Sequence, residues 1–251
     1  MKKENLQDFV QKYALNGEIQ DSIWKIEDGV LNVKFRSESK TVMGEGFLKN
    51  ANEFDNCTIG INKANTILSS IASMDNDVEI KILKDEEHDR FTYLYFKDKD
   101  VEKYCKLSDP ELILNTFKGF QGTDDMFDTV IEIDPDFIRK FSKIETVEDA
   151  KNVSIKVNED GTASIVVNYS KNKISDSGKF SFDVKQFKDA WDNYIPFNID
   201  IFKKILKTSK NFILGQLLVS KQYNVAKFKF MYDNEDLEFT YYVPAYETIN
   251  E

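Results

Sequence analysis

One order of elements comes round four times in this chain, and it limits the folds open to it. A short amphipathic helix is followed by strands joined through hairpin turns, with helices beginning near residues 4, 63, 135 and 200. Copies two to four also carry a strand ahead of the helix; the first copy lacks it. The spacing is too uneven, and the copies too few, for a solenoid. Strands that follow one another through tight turns pair antiparallel, so a helix after a strand here does not announce a parallel crossover fold. Antiparallel sheets with helices on one face, an α+β architecture, satisfy the pattern.

The individual elements follow from periodicity. Residues 2–15 read as a helix whose apolar face is Leu6, Phe9, Val10 and Tyr13, with Gln7, Gln11 and Lys12 across from it. Asn16-Gly17 stops it. Residues 22–27 and 30–36 alternate around Asp28-Gly29, a strong hairpin signal. A further strand is expected within 41–48, with Gly44-Glu45-Gly46 read as turn. Residues 57–61 form another strand, and 62–74 a helix that faces Ile67, Leu68 and Ile71 inward and Asn65, Ser69 and Ser73 outward. Lys63 is its only cation. Strands at 78–84, 91–97 and 101–107 complete the first half.

The second half repeats this. Residues 128–133 form a strand, and Asp134-Pro135 opens a helix to Ile144, since a capping carboxylate before a first-turn proline suits a helix start. Phe137, Phe141 and Ile144 face inward. A hairpin over 152–158 and 162–169 turns at Glu159-Asp160-Gly161, a strand lies near 179–184, and another over 194–199 leads into a helix over 198–210. Asn198 or Asp200 caps that helix and Asn211 ends it. Strands at 212–220, 225–232 and 237–243 close the chain. Between the halves, residues 108–126 alternate poorly and hold Pro110, Gly119 and Gly122, which marks a linker. The linker is unusual in carrying Leu112, Ile113, Leu114, Phe117 and Phe120. Domains are therefore expected at 1–107 and 127–251, with 108–126 connecting them.

Charge distribution gives the functional lead. The chain holds 34 basic and 44 acidic residues, a formal net charge of −10. Yet helix 198–210 packs with Phe202, Ile205 and Leu206 while Lys203, Lys207 and Lys210 cluster on its other side with Lys204 beside them. Helix 135–144 does the same with Arg139, Lys140 and Lys143. Overall acidity argues against nonspecific coating of nucleic acid, but leaves room for a local basic surface.

Other signals exclude more than they suggest. An apolar fraction of 41% supports real cores, and no run of 18 apolar residues marks a membrane span. The N-terminus has no secretory apolar segment. Cys57 and Cys105 are too few and too far apart for a disulfide framework or zinc site, so a reducing, cytoplasmic setting is expected. His88 sits in the charged stretch DEEHDR and reads as a surface residue. Asp75/Asp77 and Asp124/Asp125 read as solvated loop carboxylates rather than metal ligands. No cofactor, metal site or convergent catalytic set is expected.

At this point the chain resembles the DNA polymerase sliding clamps, of the proliferating-cell-nuclear-antigen and tailed-phage kind. Gly60-Ile61-Asn62, the helix after it and Asp77-Val78-Glu79-Ile80 look like the second helix and next strand of a first clamp domain. PFNIDIFKKILKTSKNF, residues 196–212, looks like the matching segment of a second domain, and EFTYYVPAYE, residues 238–247, is similar to the last strand and partner-binding tail. The match lies in order and spacing. The length resembles the two-domain clamps, which assemble as trimers.

The resemblance implies a DNA clamp fold of two similar domains, each with antiparallel sheets outside and two helices on the inner face. It gives Lys12, Arg139, Lys140, Lys143, Lys203, Lys204, Lys207 and Lys210 a role toward duplex DNA, without sequence preference. It implies a partner-peptide site at Leu112, Ile113, Leu114 and Phe117, finished by Val243, Pro244, Ala245 and Tyr246. The partners would be a DNA polymerase, a clamp loader and two further copies of the chain, with no membrane; if the protein is viral, the host cytoplasm is its place. Those linker side chains also have a plainer role, tacking the linker to its own domain. A clamp-like structural or assembly protein without DNA binding, such as a virion component, is the alternative function; an enzyme is the weakest.

Overall fold

The structure, a computed structural model, describes residues 2–113, 118–119, 123–170, 177–232 and 236–246. The chain divides into two compact units, residues 1–119 with 232–239, and residues 120–231 with 240–251. The first division falls inside the linker. The second falls inside the last strand, β16 (Leu237–Pro244), which begins in one unit and ends in the other.

The first unit opens with α1 (Lys3–Ala14), then β1 (Ser22–Glu27), β2 (Val30–Arg36), β3 (Met43–Leu48) and β4 (Cys57–Ile61). These strands form an antiparallel sheet in the order β3-β2-β1-β4, with the start of β16 against β3. Asp28 and Gly29 both take positive φ, 51° and 73°, as the tightest hairpin turn requires, and Glu27 pairs with Val30. α1 lays Phe9 and Tyr13 on this sheet: Phe9 meets Trp24 at 5.8 Å and Phe239 at 5.6 Å between ring centroids. Each such ring, fully buried, contributes roughly 1.5–3 kcal/mol. α2 (Ala64–Ala72) is shorter than the periodicity suggests, and β5 (Glu79–Asp85), β6 (Arg90–Lys97) and β7 (Glu102–Lys106) form a separate sheet in which β7 is an edge.

Gly44 and Gly46 lie within β3 rather than in a turn. The reason is a close approach: a Cβ on Gly46 would stand 2.2 Å from the Phe239 ring. At the other side of the sheet, the start of the linker is fastened to β4, where Ser108 N–H donates to Gly60 O (2.8 Å) and Gly60 N–H to Ser108 O (3.1 Å).

The second unit holds β8 (Thr129–Glu132), α3 (Pro135–Ile144), β9 (Asn152–Val157), β10 (Thr162–Val167), β11 (Gly178–Asp183), β12 (Gln186–Phe187), β13 (Ile195–Asn198), α4 (Ile199–Thr208), β14 (Leu214–Ser220) and β15 (Val225–Met231). One sheet runs β12-β8-β14-β15 and on to the end of β16; the other runs β11-β10-β9-β13. The two-residue β12 was not foreseen. α3 packs through Phe137 on Phe182 (5.0 Å) and Phe180 (5.8 Å), while α4 packs through Phe202 on Phe228 (4.8 Å) and Phe197 (5.5 Å). α4 stops at Thr208, short of Lys210, because Ser209 leaves the helical region (ψ 56°) and Asn211 turns left-handed (φ 61°).

Candidate nucleic-acid interface

The expected basic surface assembles on α3 and α4 of the second unit. Asp134 opens α3 by accepting from Phe137 N–H (2.6 Å), and Asn198 opens α4 by accepting from Asp200 N–H (2.9 Å) and Ile201 N–H (3.2 Å). Each cap satisfies donors that a helix start leaves orphaned. With both starts fixed, the 3.6-residue period sends the aromatic faces into the sheets and the cations out.

The cations are not equivalent. On α3, Asp136 lies one turn ahead of Arg139 and Lys140; it is bonded to the Arg139 guanidinium and stands 2.9 Å from Lys140 Nζ. Hydrogen bonds from Lys140 and then Arg139 hold the Asp136 carboxyl below its usual pKa. Lys140 also sits 4.3 Å over the Phe182 ring. On α4, Lys207 reaches Glu145 at 3.5 Å. Among the described residues, Lys143, Lys203 and Lys210 have no carboxylate within the 4.0 Å of an ion pair. Lys203 and Lys204 are half-buried, and Lys143, Lys207 and Lys210 are exposed. Such an array attracts anions loosely, because exposed charges are screened within about 8–10 Å at physiological salt.

Lys12 departs from expectation. Its side chain is not on an outer face: the residue is 1% exposed, paired with Asp8 and 4.1 Å over the Tyr232 ring. Burial pushes its pKa down, against the opposing pull of Asp8. Its place on α1 beside Phe9 and Tyr13 explains this, since the return of the chain at Tyr232 covers that side of the helix. Lys12 is thereby removed from any surface array. α2 presents Asn65, Ser69 and Ser73 outward as expected.

The residues assigned to a partner peptide fall in two units. In the first, Leu112 is 72% exposed on a short 3-10 turn over Pro110–Leu112, whereas Ile113 is buried. Leu114 and Phe117 lie outside the described residues. In the second, Val243 is fully buried in β16 and so belongs to the core, not to a pocket wall. Pro244, Ala245 and Tyr246 are half-buried. Ala245 N–H donates to Asn224 O and Tyr246 N–H to Pro196 O, both at 2.7 Å, beside a hollow of about 410 Å³ that Tyr194 and Lys221 also line. Those neighbours are far away in sequence and left no local signal. Asp136 did leave one, three and four residues ahead of two cations.

Two sheet edges complete the picture. In the first unit, Leu107 N–H donates to Thr92 O on β6 (2.8 Å), so by alternation the N–H groups of Tyr104 and Lys106 point away from β6. In the second, Val184 N–H donates to Gly161 O (3.0 Å), which turns the N–H groups of Ser181 and Asp183 away from β10. Both β7 and β11 are terminal strands of their sheets.

No family model matches the sequence. No curated protein matches it either. Solved structures do match. The chain superposes on proliferating cell nuclear antigen of A. fulgidus, solved with the C-terminal region of FEN-1 bound, with a TM-score of 0.76, 15% identity, and coverage of 98% of this chain and 97% of that one. It superposes on proliferating cellular nuclear antigen from Entamoeba histolytica with a TM-score of 0.72, 11% identity, and coverage of 98% and 96%. The fold is therefore the two-domain α+β clamp fold along nearly the whole chain.

Proposed function

From this clamp fold, we propose that the protein is a sliding clamp: three copies close around duplex DNA and tether a replicative DNA polymerase. The observation that carries the reading is a contradiction in charge. A chain of net charge −10 gathers six cations on two helices of one unit, with Lys210 just past the end of the second, in a fold shared with two nuclear antigens of the clamp type. Phosphate contacts fix no sequence, so loose contact from α3 and α4 suits movement along DNA, while an acidic remainder keeps other nucleic acid away.

The assembly proposal uses β7 and β11. A terminal strand with outward N–H groups on each unit allows head-to-tail addition, and a head-to-tail contact closes into a ring when its rotation permits. A clamp loader would open that ring in the cytoplasm. In the first unit Leu112, and separately in the second the tail at Pro244, Ala245 and Tyr246, offer exposed or half-buried apolar surface to a polymerase. The test is synthesis on primed circular DNA with the cognate polymerase and loader, with and without this protein. Longer products in one binding event are expected on circular templates. Linear templates with free ends should lose the effect, because a ring held by topology slides off. If the protein lengthens products on neither template, it is no processivity factor.

A further inference from the structure

A groove of about 830 Å³ runs in the second unit between α3 and the end of α4. Its apolar wall is made by Ile138, Phe141, Leu206, Phe212, Ile213 and Leu214. Of these, Ile213 is 58% exposed and Leu214 is exposed beside it. The carboxylates along the same groove are already engaged. Asp134 caps α3, Glu132 stands 2.9 Å from Lys185, and Glu145 stands 3.5 Å from Lys207. Among the described residues, Ser142, Ser209, Lys210 and Asn211 of the lining keep side chains without a hydrogen-bond or ion-pair partner, and two of them bear on the ligand. Lys210 is exposed, with no carboxylate partner among the described residues. The Ser209 hydroxyl is buried without a hydrogen-bond partner among the described residues.

What is left over defines the ligand. A bare phosphate would answer Lys210 but leave Ile213 and Leu214 in water. A purely apolar chain would cover those two and leave Lys210 and Ser209 unmet. We propose that this groove receives a segment of a partner protein in which apolar side chains are followed directly by a carboxylate. The apolar side chains lie along Ile213 and Leu214, and the carboxylate meets Lys210, with the Ser209 hydroxyl in reach as a donor after a small adjustment. Recognition of this kind combines apolar area with one charge that sets the direction of the chain. The groove shares Arg139, Lys207 and Lys210 with the proposed DNA surface. Where that reading holds, occupant and duplex compete. The groove itself does not depend on it.

The test uses the full chain with its isoleucine methyl groups labelled for NMR, the Ile213 signal being identified from Ile213→Val. The probes are three synthetic octapeptides with blocked ends: an isoleucine-leucine pair followed by aspartate-glutamate, the same peptide with asparagine-glutamine, and the same with two lysines. The acidic peptide is expected to move the Ile213 and Ile138 methyls saturably. The amide version should bind several-fold more weakly and the lysine version not measurably. Lys210→Gln should weaken the acidic peptide by roughly tenfold while leaving the melting curve unchanged. Equal binding of the acidic and amide peptides would overturn the proposal, as would shifts that bypass Ile213. So would a short DNA duplex that moves Ile213 when no peptide does, for the groove would then be part of the nucleic-acid path alone.

Discussion

Lys12 shows at the scale of one residue what burial does to a charge. It keeps a carboxylate partner, since Asp8 is half-exposed and lies one turn before it, and an aromatic face at Tyr232. Desolvation nevertheless outweighs the pull of Asp8 in setting its pKa, which lies below the ordinary 10.5. The folded protein thus holds this proton less tightly than the unfolded chain. Stability from this group is lowest where both states are protonated and rises with pH between the lowered value and 10.5. Lys12→Met is expected to be neutral or stabilising by up to about 2 kcal/mol near neutral pH, and to flatten that alkaline rise. Asp8→Asn, which leaves the ammonium with less compensation, should cost about 1–3 kcal/mol. Urea titrations of both variants from pH 7 to alkaline pH measure this; a large loss for Lys12→Met would mean the cation is a net stabiliser. The helical period placed Lys12 opposite the apolar face, and nothing local could reveal that Tyr232 would cover it. Gly46 teaches the same lesson, because its need for a missing side chain comes from Phe239, almost the length of the chain away.

Elements were more legible than their edges. The hairpin at Asp28-Gly29, the opening of α3 at Asp134-Pro135 and the cap of α4 at Asn198 all rest on residues within one turn of each other, where sequence and geometry nearly coincide. In α4 the lysine pattern continues past Thr208 while the helical backbone does not. Periodicity alone does not say which strands end a sheet, since that depends on what fails to pair. β7 provides a direct test. The N–H of Tyr104 points away from β6, so proline there removes an outward donor without breaking the β6–β7 ladder. Tyr104→Pro is expected to leave the far-ultraviolet circular dichroism intact and to weaken self-association by about tenfold, the worth of one bond near 1.4 kcal/mol. Sedimentation across a dilution series reads this, and an unchanged trimer dissociation constant would remove β7 from the assembly contact.

For the whole molecule, position of charge matters more than its sum. Lys203 and Lys207 lie on the polar side of α4 and Lys34 and Lys49 lie in the first unit, on β2 and just after β3. Lys203→Glu combined with Lys207→Glu should fold and assemble normally yet lose most loading and processive synthesis, with the defect deepening as salt rises. Lys34→Glu with Lys49→Glu makes the same change in net charge and should have little effect. Equal losses from the two pairs would mean that only the total charge counts, and α4 would have no special place. The clamp-type order of elements was readable from the sequence because it repeats. The counter-charges at Asp136 and Glu145, which leave Lys143, Lys203 and Lys210 as the cations without carboxylate partners among the described residues, needed the fold.

The division of β16 between the two units carries a consequence for synthesis on the ribosome. The first unit includes residues 232–239, so its sheet gains its strand next to β3 only after nearly the entire chain has emerged. Until then the nascent first unit presents β3 with one side unpaired and Gly46 waiting for Phe239, a surface that invites wrong pairing. A gene cut at residue 119 should therefore yield an N-terminal half that associates nonspecifically when expressed by itself, however well its hairpins form. Adding residues 232–239 back, fused through a flexible tether, should restore a monodisperse fragment on size-exclusion chromatography. If the half without them is already monodisperse, the late strand is dispensable, and the first unit matures independently of the chain's end.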